Sequence, residues 1–197
     1  EMIQPGQFLP AAENYGLIEE IDLLAVKEAA KQIALGFEIS INLSTSTVGR
    51  RHVVDAIADA LRSEGADASG LTVEITETAL MKDVPAARRF ADDLSSLGIH
   101  LALDDFGTGY SSLSYLHRFP IDLLKVDRSF VSAMEENTEN GEIVRTVIAL
   151  AKALKLKVVA EGIESIHQFH QLRILGCEYG QGYLFSKPLP VADIERL

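Results

Sequence analysis

Short apolar runs recur along the chain, and each closes on a polar or ionisable side chain. Ile39 to Ile41 leads to Asn42, Leu71 to Val73 leads to Glu74, and His100 to Leu103 leads to the pair Asp104 and Asp105. Leu123 and Leu124 lead to Lys125, Lys157 to Ala160 leads to Glu161, and Tyr179 with Gly180 leads to Gln181. Successive closing residues stand 20 to 36 positions apart, about the length of a strand, a helix and two loops. A repeat of that unit builds parallel strands whose carboxyl ends gather on one rim.

Helical periodicity fills the intervals. Apolar residues at three and four spacing predict helices over Leu17 to Ala34, Val48 to Leu61, Ala86 to Leu97 and Ile143 to Leu154. Ser165 with Gln168 reads as a capping box opening a helix that stops at Gly176. The chain opens with Met2 to Gly6 and a loop-like lead into the first helix. No proline-rich linker, charge block or low-complexity tract divides the chain, so one domain over 1–197 is expected. Alternating strands and helices fit either an open doubly wound sheet or a closed barrel. Functional groups at the end of nearly every strand favour the α/β (β/α)8 TIM-type barrel, where many strands aim at one central site. A barrel needs eight strands, and six are legible. The domain is therefore expected to be N-terminally incomplete, with its first two strands upstream of Glu1.

Composition narrows the function. A formal charge of −11 argues against a grip on long nucleic acid, which needs clustered Lys and Arg. A small phosphate ligand fits if divalent cations supply the positive charge. No apolar run is long enough to span a bilayer, so this stretch is expected to make no membrane contact. The single cysteine, Cys177, is compatible with a reducing compartment, and a cytoplasmic location is expected, either free or as the cytoplasmic part of a larger membrane-anchored protein.

Asn42, Glu74, Asp104 and Asp105 are hard oxygen donors from consecutive strands. Bare carboxylates that converge repel, and a divalent cation resolves the repulsion. Oxygen donors without histidine or thiolate favour Mg²⁺ or Mn²⁺ over zinc, and adjacent aspartates suggest two ions. Lys125 can hold phosphate oxygens, and Glu161 can accept the proton of an attacking water. Hydrolysis of a phosphate ester follows as the reaction class. Taken singly these residues have blander readings: a turn for Asp104 to Gly109, a surface position for Glu74, an ion pair of Lys125 with Asp127. His167 and His170 read as a solvated helix face. Asp105-Phe106-Gly107 copies a kinase triplet without the rest of the kinase set, and Gly107-Thr108-Gly109 lacks the third glycine of a dinucleotide fingerprint.

The ordered segments resemble the EAL domains, phosphodiesterases for the bacterial messenger cyclic diguanylate. They are Phe8-Leu9-Pro10 with Glu13, Asn42-Leu43-Ser44, Glu74-Ile75-Thr76-Glu77, the run from Asp104 to Leu113, Lys125-Val126-Asp127, Ala160 to Glu164, and Gln181-Gly182-Tyr183. The resemblance implies hydrolysis of cyclic di-GMP to the linear dinucleotide pGpG with two Mg²⁺ or Mn²⁺ ions. It implies that Asn42, Glu74 and Asp104 hold the first ion, that Asp104 and Asp105 hold the second, that Glu161 is the general base, and that Lys125 positions water and phosphate. Glu77 is implied to hold the loop from Asp105 to Ser112, Asp127 and Gln181 to line the site, and Glu164 to touch a guanine. A homodimer built on the loop after Asp105 and the helix from Ser111 to Arg118, and fusion to sensory or cyclase domains, are further implications. The Glu-Ala-Leu triplet that names the family, with its ligand glutamate, is not in these residues. That departure keeps open a non-catalytic cyclic di-GMP receptor or interaction module of the same fold. A remoter alternative is a magnesium barrel enzyme that stabilises an enolate.

Overall fold

Local chemistry accounts for most element boundaries. The structure is a computed structural model and describes residues 3, 5–107, 116, 118–134 and 138–194. Six strands form one sheet whose order follows the chain, from β1 (Ile39–Asn42), β2 (Leu71–Thr76) and β3 (His100–Phe106) to β4 (Leu123–Val126), β5 (Lys157–Ala160) and β6 (Tyr179–Gly180). The pairs β1 with β2, β4 with β5 and β5 with β6 run parallel. Helices intervene between most of these strands, which gives the sequential order of a (β/α)8-type barrel with six strands among the described residues.

The chain divides into two compact units, residues 1–103 with 112–122 and residues 104–111 with 123–197. In the first, α2 (Ile18–Ala34) and α3 (Arg51–Glu64) pack on each other. Their buried positions, Ile18, Val26, Ala29 and Ile33 on one and Val53, Ile57, Ala60 and Leu61 on the other, recur at helical spacing. Asp83 accepts a hydrogen bond from the Ala86 N–H at 3.0 Å and opens α5 (Val84–Ser96), with Pro85 in the first turn. Along β2, Leu71, Val73 and Ile75 are fully buried on one face of the sheet, so Glu74 belongs to the opposite face.

In the second unit, α6 (Arg128–Ala133) and α7 (Thr138–Ala153) follow β4, and α8 (Ile166–Leu175) follows β5. The capping box is present: Ser165 Oγ accepts from the Gln168 N–H at 3.0 Å, and Gln168 Oε1 accepts from the Ser165 N–H at 3.0 Å. Gly176, at φ 78°, closes the helix in the left-handed conformation that its missing side chain permits.

Several boundaries differ from the sequence expectation. Pro5–Asn14 forms α1, where a loop-like lead was expected; Pro5 suits a first turn because its missing N–H has no partner to lose there, and only Pro10 interrupts the ladder. Met2 and Gln4 lie outside the described residues. The predicted start of α3 at Val48 moves to Arg51 because Thr47 and Val48 instead donate their N–H groups to the Ser44 carbonyl in a turn. The helix expected from Ile143 begins at Thr138. α4 (Glu77–Lys82) and α6 are single short helices that show no legible period. Both β2 and β3 continue past their apolar runs, since the backbone ladder is indifferent to a polar side chain.

Candidate metal centre

In the first unit, Asn42 closes β1 and stands in register with Glu74 of β2. The pairing places both on one sheet face, and Glu74 is only 6% exposed. The turn after Asn42 is tied down: the Leu43 N–H donates to the Glu74 carbonyl at 3.0 Å, and the Ser44 N–H donates to Asp22 Oδ2 at 3.0 Å. Asp22 is 6% exposed and comes from α2, twenty-two residues upstream. The sequence reading missed it. Its one signal is a carboxylate on the helix stripe otherwise filled by Ile18 and Val26.

Glu77 opens α4 just after Thr76, whose hydroxyl accepts from the Ala79 N–H at 3.3 Å. Its expected partner loop falls largely on 108–112, which lies outside the described residues, as do the loop residues Thr108, Gly109, Tyr110, Ser111, Ser112 and Leu113 of the resemblance and most of the expected pairing helix.

The second unit carries a charged centre. Lys125, on β4, is 4% exposed. Its Nζ lies 2.5 Å from Glu161 Oε1 and 3.3 Å from Asp104 Oδ2. Asp104 is itself buried on β3, and Glu161 follows β5, with its N–H donated to the Val126 carbonyl at 3.1 Å. A buried ammonium survives only when paired, and two carboxylates hold this one. Asp104 and Glu161 each bring a carboxylate oxygen to within 4.8 Å of the other's.

Asp105 departs from strand geometry at φ +54°, an unusual backbone state for a residue with a side chain, and its N–H donates to Asp104 Oδ1 at 2.9 Å. The twist turns the second aspartate away from the alternation of β3. Lost hydration, then the charges of Asp104 and Asp127, push the Asp105 carboxyl above the ordinary carboxylate range, while Lys125 works in the other direction. Asp127 caps α6 by accepting from the Ser129 N–H at 2.9 Å and from the Ser129 hydroxyl.

Glu164 pairs with Arg128, Nη2 to Oε1 at 2.8 Å, and Gln181 exchanges main-chain bonds with the Glu161 turn: its N–H donates to Ala160 and its carbonyl accepts from the Ile163 N–H at 3.0 Å. Asp104, Asp105, Asp127, Lys125 and Glu161 thus belong to one neighbourhood with one ammonium among four carboxylates. Asp104 and Glu161 of this group supply hard oxygen donors suited to a divalent cation and are candidate ligands for one.

A parallel α/β chain of barrel order, with an acidic centre built at the ends of its strands, defines the class. The chain belongs to the EAL domain family, which matches residues 1–188. It is 41% identical over 201 residues to the cyclic di-GMP phosphodiesterase NbdA of Pseudomonas aeruginosa, across 98% of this chain and 26% of that protein. It is 38% identical to the bifunctional diguanylate cyclase/cyclic di-GMP phosphodiesterase MucR of the same organism, across 98% of this chain and 29% of that protein. The chain therefore spans between a quarter and a third of the length of these curated relatives. Its fold superposes on the solved PaMucR phosphodiesterase in complex with c-di-GMP with a TM-score of 0.94 at 39% identity, covering 98% of this chain and 81% of that one. No described helix is long and apolar enough to cross a membrane.

Proposed function

We propose that this chain hydrolyses one phosphodiester bond of cyclic di-GMP, releasing linear pGpG, with divalent cations held by its acidic strand ends. The observation that carries the reading is the buried Lys125 ammonium held by Glu161 at 2.5 Å and Asp104 at 3.3 Å, in a chain of this family.

Asn42, Glu74, Asp104 and Asp105 are the proposed ligands, and the buried Asp104 carboxylate is an acidic group suited to hold a cation. A second ion on Asp104 and Asp105, and Mg²⁺ or Mn²⁺ as the metal, rest on the all-oxygen donor set. Cations bound there would neutralise the substrate phosphate and the charge that develops on it.

The side chains supply the rest. Glu161 takes a proton from the attacking water, whose oxygen bonds to phosphorus as the bond to the ribose 3′ oxygen breaks, and that oxygen leaves as a hydroxyl after gaining a proton. Lys125 orients the water and a phosphate oxygen. Asp127 and Gln181 line the pocket, Glu77 supports the loop after Asp105, and Glu164 supports the Glu161 turn. An expected homodimer, fusion to sensory or cyclase domains, and a cytoplasmic setting complete the proposal; the relatives' much greater length favours the fusion.

Incubation of the full-length protein with cyclic di-GMP and Mg²⁺, followed by chromatography of the nucleotides, tests the reading. Linear pGpG should form, and Glu161→Gln should slow it by about 10²- to 10⁴-fold, the usual contribution of a general base. Absence of linear product from the parent protein, or full activity in the variant, refutes the hydrolase or the base in turn.

A further inference from the structure

Glu161 opens the loop that turns the chain from β5 to α8, and the clamp on that loop comes from a residue with no assigned part. The main chain of the turn is held by bonds from Glu161 to the Val126 carbonyl, from Ile163 to the Gln181 carbonyl at 3.0 Å, and from Glu164 to Gln168 Oε1 at 2.8 Å. Gly162, at φ +69°, has no side chain where one would strike Arg128: a Cβ there would lie 2.2 Å from Arg128 Cγ and 2.8 Å from its Cβ. The arginine stem therefore lies directly across the Gly162 backbone. Its guanidinium continues to Glu164, Nη2 to Oε1 at 2.8 Å. Arg128 also follows Asp127 directly and opens α6, so it joins the end of the Lys125 strand to the turn that carries Glu161.

We infer that Arg128 is a positioning residue for the hydrolysis proposed above: its stem packs over Gly162 and its charge holds Glu164, which fixes the turn that aims the Glu161 carboxylate at Lys125. The inference rests on that functional reading for its effect on turnover, and on the turn alone for its effect on structure. A carboxylate that must receive a proton in a defined direction loses rate when its support loosens by an ångström or less. Arg128 pairs with Glu164 while Glu161 pairs with Lys125, and the stem of Arg128 reaches Glu161 through the main chain of Gly162.

Arg128→Met keeps an apolar stem and removes the charge, whereas Arg128→Lys keeps both in a different shape. In the full-length protein with Mg²⁺ and cyclic di-GMP, Arg128→Met is expected to lower kcat about tenfold with KM within about twofold of the parent, and Arg128→Lys to recover most of the loss. A raised KM with unchanged kcat would instead mark a direct ligand contact and overturn the positioning role. Amide hydrogen exchange gives a readout that needs no turnover: the amides of residues 161–164 should exchange about tenfold faster in Arg128→Met, with the rest of the chain unaltered. Unchanged exchange in that segment overturns the inference whatever the activity. If the parent protein forms no linear product while the variant loosens this segment, the hydrolase reading and the positioning role fall together, and only the hold of Arg128 on residues 161–164 stands.

Discussion

Lys125 is the residue on which the centre turns. Its ammonium is enclosed at 4% exposure and shared between Asp104 and Glu161, so removing it takes from both carboxylates the ammonium that they share. Breaking a buried pair in this way commonly costs about 3–5 kcal/mol. Lys125→Met is accordingly expected to lower unfolding stability by that order in chelator, measured by urea titration, and to lose less with Mg²⁺ present; equal stability of the two proteins in chelator contradicts the account. Asp22 works at a distance. Its carboxylate accepts the Ser44 N–H just past Asn42, and Asp22→Ala should cost about 1–3 kcal/mol by leaving that donor without its partner, again read by urea unfolding. Lys125, Asp104 and Glu161 were legible in the sequence because each interrupts an apolar run with a charge. Asp22 and Arg128 were not, because a charged residue on a helix or in a loop is ordinary and their partners lie 22 and 36 residues away.

At the scale of elements, α2 and α3 are joined by more than their apolar faces. Glu19, in the first turn of α2, accepts from Arg50 at 2.7 Å and lies 2.6 Å from His52 Nε2 on α3. The hydrogen bond to His52, then the charges of Arg50 and His52 working against desolvation, hold the Glu19 carboxyl below its ordinary value of 4.5. A carboxyl depressed in the folded state contributes stability that is complete above the unfolded value and is lost as pH falls through the folded one. The stability difference between the parent and Glu19→Gln should therefore be present near neutral pH and shrink as pH drops below 4.5. A difference that stays constant through that range would rule the link out. Arg50 and His52 are exposed and Glu19 is half-buried, so the contribution is partly screened by solvent and falls with added salt. Element types were largely readable from period and caps, as the Ser165 box shows. The short helices α4 and α6 were not, because six residues make fewer than two turns and display no stripe.

For the whole molecule, the acidic centre sets an expectation about cations. A ligand that binds only the folded state stabilises it by mass action, about 2.7 kcal/mol at a hundredfold excess over Kd. Mg²⁺ alone should raise the thermal midpoint, EDTA should reverse the rise, and Asp104→Asn should abolish most of it; a midpoint indifferent to Mg²⁺ argues against a cation site. The order of strands and helices, and the hard-oxygen chemistry at the strand ends, were determined by the sequence alone, because alternation, helical period and capping act between residues a few positions apart. Only the tertiary structure decided that Lys125 bonds Glu161 at 2.5 Å, that Asp105 takes a positive φ within β3, and that Arg128 lies over Gly162. The physical reason is range: order along a chain specifies which groups can meet, whereas hydrogen bonds and charge pairs change within an ångström, a distance set only when separate elements pack.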